Sequence, residues 1–247
     1  VDLMNSYAAS MGLSNTLFQN STGLPDGNHF SSAKDLATMT SLLIDNFPET
    51  YSLYKEKYFT FNNIRQPNRN RLLWKDNSSD GVKTGHTESA GYCLISSAKR
   101  NDMRLIAVVA GAKSDKERFN DTQRLLEYGF RFYATQEVIK KDNALKDVDV
   151  WGGKKNLVSL GSENNIKLTL PRTTFKNITI SYDFQNNLRA PIKEGQTLGT
   201  LVIKDGEKTL HTENLVALNE VEAKGFFGRL WASLVLWFRG LFSLGDA

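Results

Sequence analysis

Two apolar, β-rich runs followed by a long helical pattern are the feature that most constrains how this 247-residue chain can fold. The runs Gly91–Ala98 and Met103–Ala110 are separated by a short polar turn, a spacing that predicts a β-hairpin. Residues 82–84 precede the hairpin and are predicted to form a third short strand. The segment Asp115–Tyr133 then has helical periodicity. Its predicted buried side consists of Leu125, Leu126, Tyr128, Gly129, Phe132 and Tyr133.

The residues before this sheet predict shorter elements. Residues 1–12 have an amphipathic helical pattern, and Ser31 or Ser32 can cap a helix of about 14 residues that Pro48 ends. Residues 58–61 alternate enough to indicate a short strand. The sequence does not begin with an initiator methionine, and its first residues lack the basic start and apolar run of a signal peptide. We therefore expect the chain to begin inside a domain.

Beyond residue 134 the pattern changes to short alternating runs separated by turns rich in Asn, Gly and Pro. This pattern predicts a small all-β sandwich or barrel over about residues 136–219. We therefore predict three parts: an α+β domain over residues 1–134, a β-rich domain over 135–219, and a linker with a terminal helix over 220–247.

The terminal segment 225–243 is amphipathic. Its aromatic and leucine side chains share one helical face, but Arg229 and Arg239 lie within it. An arginine in the middle of a bilayer costs at least ~2.5 kcal/mol. The pattern therefore favours a helix lying in the membrane interface, where the arginines reach the headgroups. A spanning helix and a helix that packs on a domain are the alternatives.

Composition excludes several classes of function. A net charge of +4 without a basic block that contains aromatics gives no indication of nucleic-acid binding, although it suits an anionic lipid surface. Cys93 is the single cysteine, which excludes an internal disulfide, and we expect it to be a small buried residue. The histidines His29, His86 and His211 share no ligand spacing, so neither zinc nor another cofactor is predicted.

One motif carries chemistry: Lys83-Thr84-Gly85, which follows Asp80-Gly81 on the predicted third strand. Lys83 would place a positive charge beside a nucleophile, and the Thr84 hydroxyl could bind a substrate carboxylate. Gly85 lets a substrate backbone lie against the strand. The backbone N–H of His86 would donate into an oxyanion hole, a role worth roughly 2.7–4 kcal/mol per donor.

With this motif, the chain resembles the low-molecular-mass penicillin-binding proteins that act as D-alanyl-D-alanine carboxypeptidases of the enterobacterial type. The resemblance covers essentially the whole chain, including the β-rich part and the amphipathic tail. Its matching segments, besides Lys83–Thr87, are residues 1–5, 11–13, 22–24, 30–35, 54–57, 68–70, 72–74, 90–92 and 129–132.

The resemblance implies part of a transpeptidase/β-lactamase-like catalytic domain, then a β-rich stalk domain, then an amphipathic anchor. It implies removal of the terminal D-Ala from peptidoglycan pentapeptides through a serine acyl-enzyme, acylation by β-lactam antibiotics, and a location at the periplasmic face of the inner membrane. It also implies substrate contacts from Thr87, Arg69 and Arg118. Of these arginines, Arg118 is the one expected to bind the substrate carboxylate. For each arginine, a surface or helix-face ion pair is the alternative.

The chain departs from the family pattern in one respect. The family carries Ser-x-x-Lys and then Ser-x-Asn before Lys-Thr-Gly. Here Ser-x-x-Lys occurs only at unsuitable places, beginning at Ser31, Ser52 and Ser96, and Ser162–Asn164 lies after the Lys-Thr-Gly motif. We therefore expect the nucleophile and its base upstream of Val1, and this chain alone to be inactive.

Two other functions remain open at this level. The chain could be a truncated, non-catalytic protein tethered to the membrane as a scaffold. It could also come from a β-lactamase, although the β-rich part and the anchor argue against that function.

Overall fold

In a computed structural model, which describes residues 1–185 and 187–225, the chain divides into two compact units, Val1–Ala134 and Thr135–Ala247. The first unit mixes helices with antiparallel sheets, and the described part of the second is built from strands with one short 3-10 turn. The predicted α+β class is confirmed. The predicted membrane helix lies, apart from Gly225, outside the described residues.

The first unit contains the helices α1 to α5 and the strands β1 to β5. In chain order these are α1 Asp2–Ser10, α2 Ala33–Asn46, α3 Pro48–Tyr51, β1 Tyr58–Phe61, β2 Ile64–Pro67, α4 Leu72–Lys75, β3 Ser79–Thr87, β4 Gly91–Arg100, β5 Met103–Ala112 and α5 Asp115–Phe132, with a 3-10 turn at Ser52–Lys55 between α3 and β1.

The central sheet of this unit has the order β3-β4-β5, and both strand pairs are antiparallel. This arrangement confirms the predicted hairpin and third strand. In the register of β3 and β4, Lys83 lies opposite Ile95 and Gly85 lies opposite Cys93. The motif is therefore held at an outer strand of a continuous sheet.

Helix α5 covers this sheet. It begins at Ser114, whose side chain accepts a hydrogen bond from the backbone N–H of Glu117 at 3.1 Å. Two of its apolar residues join a core with strands β4 and β5 and helix α4. The core residues are Leu72, Leu94, Ala98, Met103, Ala107, Leu126 and Phe130.

The predicted buried side of α5 is wrong in part. Leu125, Tyr128 and Phe132 are 49%, 57% and 47% exposed. The buried side instead repeats every four residues. The prediction missed it because two of its members are polar, and a hydrophobicity pattern leaves polar residues out. It consists of Arg118, Thr122, Leu126 and Phe130.

Helix α2 begins as predicted at Ser32, whose side chain accepts a hydrogen bond from the Asp35 N–H at 3.1 Å. The Asp35 carboxylate is buried and accepts hydrogen bonds from the Thr16 hydroxyl and the Asn15 N–H, each at 2.8 Å. These donors, Thr16 first, lower the pKa of Asp35. Pro48 does more than end α2, because it is the first residue of α3.

Strands β1 and β2 form a separate two-stranded hairpin. Its turn residues Asn62 and Asn63 have φ values of 46° and 58°, the left-handed region that asparagine tolerates. Every residue of both strands is exposed.

The second unit is all-β in its described residues, as predicted, except for a 3-10 turn at Thr174–Lys176. Six of its strands form one sheet of order β10-β12-β13-β8-β7-β11, and β6 pairs with β9. The strands are β6 Tyr133–Ile139, β7 Lys146–Trp151, β8 Leu157–Gly161, β9 Ile166–Pro171, β10 Ile178–Phe184, β11 Leu188–Arg189, β12 Thr197–Asp205 and β13 Lys208–Ala217.

The core of the second unit is aliphatic. Its buried residues include Val158, Leu160, Leu201, Ile203 and Leu215, each fully inaccessible to solvent. Within residues 1–185 and 187–225, no helix has the length and apolar character needed to cross a membrane.

Candidate active site on strand β3

The backbone just before the motif is held at Gly81. The carbonyl oxygen of Gly81 accepts hydrogen bonds from the Asn70 amide at 2.8 Å and from the Ser96 hydroxyl at 2.9 Å. Both donors are buried, and such bonds are stronger where water is excluded. The strand therefore enters the motif from a fixed point.

A second set of contacts fixes Asp80, the residue before Gly81. The Tyr51 hydroxyl donates to Asp80 Oδ1 at 2.7 Å, and Arg104 donates to both Asp80 oxygens at 2.9 and 2.8 Å. Burial raises the pKa of Tyr51, so its hydroxyl stays a donor across the physiological range. Arg104, which lies on β5, also donates to Ser97 on β4 at 2.6 Å. Its side chain therefore connects β5 to both β3 and β4.

Lys83 and Gly85 share one face of β3, since side chains alternate along a strand. Both are exposed, whereas Val82 is buried and Thr84 is half-buried. The Lys83 ammonium donates to the Thr84 carbonyl oxygen at 2.7 Å. A β-carbon at Gly85 would have only the Cys93 β-carbon, at 3.8 Å, within contact distance. This face of β3 therefore presents the Lys83 ammonium group next to the accessible backbone of Gly85.

His86 and Thr87 end the strand. The His86 ring packs on the Tyr92 ring with centroids 3.9 Å apart. The Thr87 hydroxyl accepts a hydrogen bond from the Ala90 N–H at 3.0 Å, so it shapes the turn into β4. The oxyanion role of the His86 N–H and the substrate role of Thr87 stay predictions.

Arg118 is brought to the motif from helix α5. Its guanidinium is buried, donates to the Gly85 carbonyl oxygen at 2.9 Å and pairs with Asp115 at 2.5 Å. A weaker bond at 3.4 Å reaches the carbonyl of Cys93. Arg118 therefore connects α5 to both β3 and β4, and its predicted contact with a substrate carboxylate stays a prediction.

Arg69 makes none of these contacts. It is exposed and lies in the loop between β2 and α4, next to the Asn70 that holds Gly81. In the described part of the chain, no three His, Cys, Asp or Glu side chains converge to hold a metal ion.

The serines of the Ser-x-x-Lys matches are engaged elsewhere. Ser96 is fully buried and bonded to Gly81, and the Ser52 hydroxyl donates to the Glu49 carbonyl oxygen at 2.6 Å. Ser31 is bonded to Thr16 at 2.8 Å, beside the start of α2. Their contacts are those of structural serines.

Two features of the site differ from the sequence expectations. Cys93 is only half-buried, because it lies on the exposed face opposite Gly85. The supports of Gly81 were missed, since Asn70, Ser96 and Tyr51 are 11 to 30 residues distant in sequence. Only the Asp80-Gly81 pair, separated from the motif by Val82, gave a local signal.

Comparison with known proteins agrees with this geometry. Residues 1–114 match the D-alanyl-D-alanine carboxypeptidase family, and residues 133–223 match the C-terminal domain of penicillin-binding protein 5. The chain is 46% identical to the D-alanyl-D-alanine carboxypeptidase DacC of Escherichia coli K12 over 98% of its own length and 62% of that protein.

Solved structures are also similar. Penicillin-binding protein 5 from Haemophilus influenzae matches with a TM-score of 0.74 at 39% identity, over 90% of this chain and 65% of that one. The D-alanyl-D-alanine carboxypeptidase DacD from Francisella tularensis matches with a TM-score of 0.63 at 31% identity, over 90% and 68%. The chain belongs to the D-alanyl-D-alanine carboxypeptidase family of penicillin-binding proteins. It spans about 60% of the length of curated relatives such as the DacC and DacA carboxypeptidases of Escherichia coli K12.

Proposed function

We propose that this chain supplies the Lys-Thr-Gly wall of a serine-type D-Ala-D-Ala carboxypeptidase that trims peptidoglycan pentapeptides and is acylated by β-lactams. One observation carries the proposal: Lys83 and Gly85 lie exposed on the same face of β3. The strand behind them is fixed at Gly81 by buried hydrogen bonds. Family membership supports the same reaction.

The proposed roles follow from charge and geometry. A serine supplied from outside residues 1–247 attacks the carbonyl of the penultimate D-Ala, and its proton passes to a lysine beside it. Lys83 provides positive charge at this point. The Thr84 hydroxyl binds the terminal carboxylate, with Arg118 near it, and Arg69 and Thr87 line the site. The His86 N–H donates to the tetrahedral oxyanion.

The bond changes are those of acyl transfer. The ester to the serine forms as the peptide bond breaks, and the terminal D-Ala leaves with a proton on its amine. Water then attacks the ester and restores the serine. Gly85 leaves room for the substrate backbone to lie along β3 as an added strand.

Labelled penicillin tests this proposal directly. An intact enzyme, extended to include the Ser-x-x-Lys segment of its relatives, should become covalently labelled, and residues 1–247 alone should not. Labelling of residues 1–247 would show that the nucleophile is within this chain. Absence of labelling in the folded intact enzyme would refute the assigned reaction.

We further propose that the enzyme is peripheral to the periplasmic face of the inner membrane. The support is the amphipathic pattern of residues 225–243, in which apolar rings share one face and two arginines are placed to reach headgroups.

A further inference from the structure

In the part of the chain that the structure describes, the hairpin β1–β2 carries an uncovered apolar face. Phe59 lies opposite Gln66 and Phe61 opposite Ile64, so both phenylalanines and Ile64 point to the same side. These three apolar side chains are 67%, 63% and 62% exposed. The two phenylalanine rings are nearly parallel, with an angle of 8° and centroids 6.5 Å apart. A contiguous apolar surface of this kind is typical of a binding site.

The other side of the hairpin is supported. The Tyr58 ring meets Trp74 edge-on with centroids 6.0 Å apart, and the Arg65 guanidinium lies 3.8 Å from the Tyr58 ring centroid. At the base, the Asn68 amide donates to the Tyr54 and Glu56 carbonyls at 3.3 and 3.0 Å. The phenylalanine face is therefore presented on a braced element.

Positive charge is concentrated in residues 55–69, the segment that carries this face, although Arg65 itself lies on the Tyr58 side of the hairpin. Lys55, Lys57, Arg65 and Arg69 are exposed and only Glu56 opposes them, which gives the segment a net charge of +3 against +4 for the whole chain. None of these four cations forms an ion pair within residues 1–185 and 187–225. Such a surface suits an anionic partner.

The hairpin is also continuous with the candidate active site. Strand β2 ends at Pro67, three residues before the Asn70 that bonds to Gly81. Chain geometry limits the distance from the end of β2 to Lys83 to at most roughly 25 Å. A five-residue peptide that is fully extended spans about 17 Å. The two lengths are of the same order, so the polymer attached to a pentapeptide bound at β3 is long enough to reach the hairpin.

We propose that the Phe59–Phe61 face of hairpin β1–β2 binds the glycan strand of polymeric peptidoglycan while the attached peptide reaches β3. Sugar rings present C–H groups that are attracted to the negative faces of aromatic rings. The cations of residues 55–69 attract the carboxylates of neighbouring peptides. The proposal rests on the proposed function, since that function makes peptidoglycan the substrate.

A glycan fits the observations better than a lipid surface. The phenylalanine rings are stacked with nearly parallel planes and are mostly exposed, so ring surface is open to the C–H groups of a sugar. The hairpin also leads directly into the loop that supports β3.

Sedimentation with insoluble peptidoglycan tests the proposal with residues 1–247. The double variant Phe59→Thr/Phe61→Thr removes both rings and keeps β-forming residues. We expect its affinity for peptidoglycan to be about tenfold weaker. The matched control is Tyr128→Ala/Phe132→Ala, which removes another exposed ring pair of the first unit and should leave affinity within about twofold. Equal binding by both double variants would overturn the proposal.

A second pair of variants tests the charges. Lys55→Gln/Lys57→Gln should weaken peptidoglycan binding and reduce its dependence on salt, since two exposed cations are lost from the segment that carries the face. An unchanged salt dependence would contradict the proposed role of these cations. Circular dichroism of each variant should match the unaltered chain, because all four positions are exposed.

Vesicles of anionic phospholipid test the alternative that the phenylalanine face binds a lipid surface. The phenylalanine variant should bind these vesicles as the unaltered chain does. Loss of vesicle binding with peptidoglycan binding retained would assign the face to a lipid surface and overturn the proposal.

Penicillin labelling distinguishes failure here from failure of the proposed function. In the intact enzyme, the phenylalanine variant should be labelled normally and should lose rate only on polymeric substrate. Normal labelling with unchanged processing of polymer would reject the glycan surface and leave the proposed reaction standing.

Discussion

The Tyr51 hydroxyl lies directly against the backbone of Gly81, so that a β-carbon added at position 81 would be 2.7 Å from the phenol oxygen. The same hydroxyl donates to Asp80. Position 81 therefore has no space for a side chain, and the tyrosine that excludes one also fixes the neighbouring aspartate. The entrance to the Lys-Thr-Gly strand depends on this contact.

Gly81→Ala should destabilise the first unit by about 1–3 kcal/mol, because the new methyl group has to displace Tyr51. Adding Tyr51→Phe removes the atom in closest contact and should recover part of the loss, although the ring carbon at 3.2 Å stays close. Urea denaturation of the two single variants and the double variant measures the coupling. Strictly additive losses would contradict the steric explanation.

Lys83→Ala in the intact enzyme should slow penicillin acylation and D-Ala release by about 100-fold or more, since a charge placed at the reacting groups is lost. The melting temperature should stay nearly unchanged, because Lys83 is exposed. Lys99→Ala, another exposed lysine on the same sheet, is the matched control and should retain full activity. Near-normal D-Ala release by the Lys83 variant would refute its proposed role.

Arg118→Ala should destabilise the chain by about 2–4 kcal/mol, because the Gly85 carbonyl loses this buried donor and Asp115 is left paired with the exposed Arg71 alone. Arg118→Lys should recover only part of this, since lysine lacks the planar fork that reaches both partners. Arg124→Ala, at an exposed position on the same helix, should cost little. Thermal denaturation compares the three. An unchanged stability of Arg118→Ala would rule out the bracing role and leave only a substrate contact.

Asp35 should contribute to stability in a defined pH range. Its pKa in the folded chain is lowered from 3.8, chiefly by the Thr16 hydroxyl, so the contribution is complete above the unfolded value. It is lost as pH falls below about 3.8 toward the folded pKa. Melting temperatures of the unaltered chain and Asp35→Asn should differ by a constant amount above pH 5 and converge in acid. A difference that grows on acidification would have the wrong sign.

Deletion of residues 225–247 should release the protein from anionic liposomes, because it removes the amphipathic segment with its apolar rings and two arginines. Co-sedimentation at low and moderate salt is the measurement. A second variant replaces Trp231 and Trp237 by serine, which keeps the net charge and tests the apolar contribution alone. It should also bind the liposomes more weakly. Unchanged sedimentation of the deleted chain would exclude this segment as the anchor.

Local pattern predicted the sheet and its covering helix correctly, because apolar β-rich runs and a polar turn define a hairpin without distant information. It failed on the buried side of α5. Arg118 and Thr122 are polar yet buried there, since each is satisfied by hydrogen bonds to backbone carbonyls. A hydrophobicity pattern cannot anticipate such partners.

The Lys-Thr-Gly motif could be recognised from three consecutive residues, but the residues that hold Gly81 in place could not be predicted from the sequence. Asn70 and Tyr51 act on Gly81 through contacts between segments far apart in the chain. Each is an ordinary loop or helix residue by its local sequence. Only the folded arrangement shows that they determine the position of Lys83.

The half-buried thiol opposite Gly85 has a practical consequence. Cys93 is the chain's only cysteine and lies one strand away from the exposed backbone of the motif. A thiol-reactive dye would therefore attach at a single native position. Its emission would provide an optical readout of ligand arrival at β3 in real time, without an engineered label.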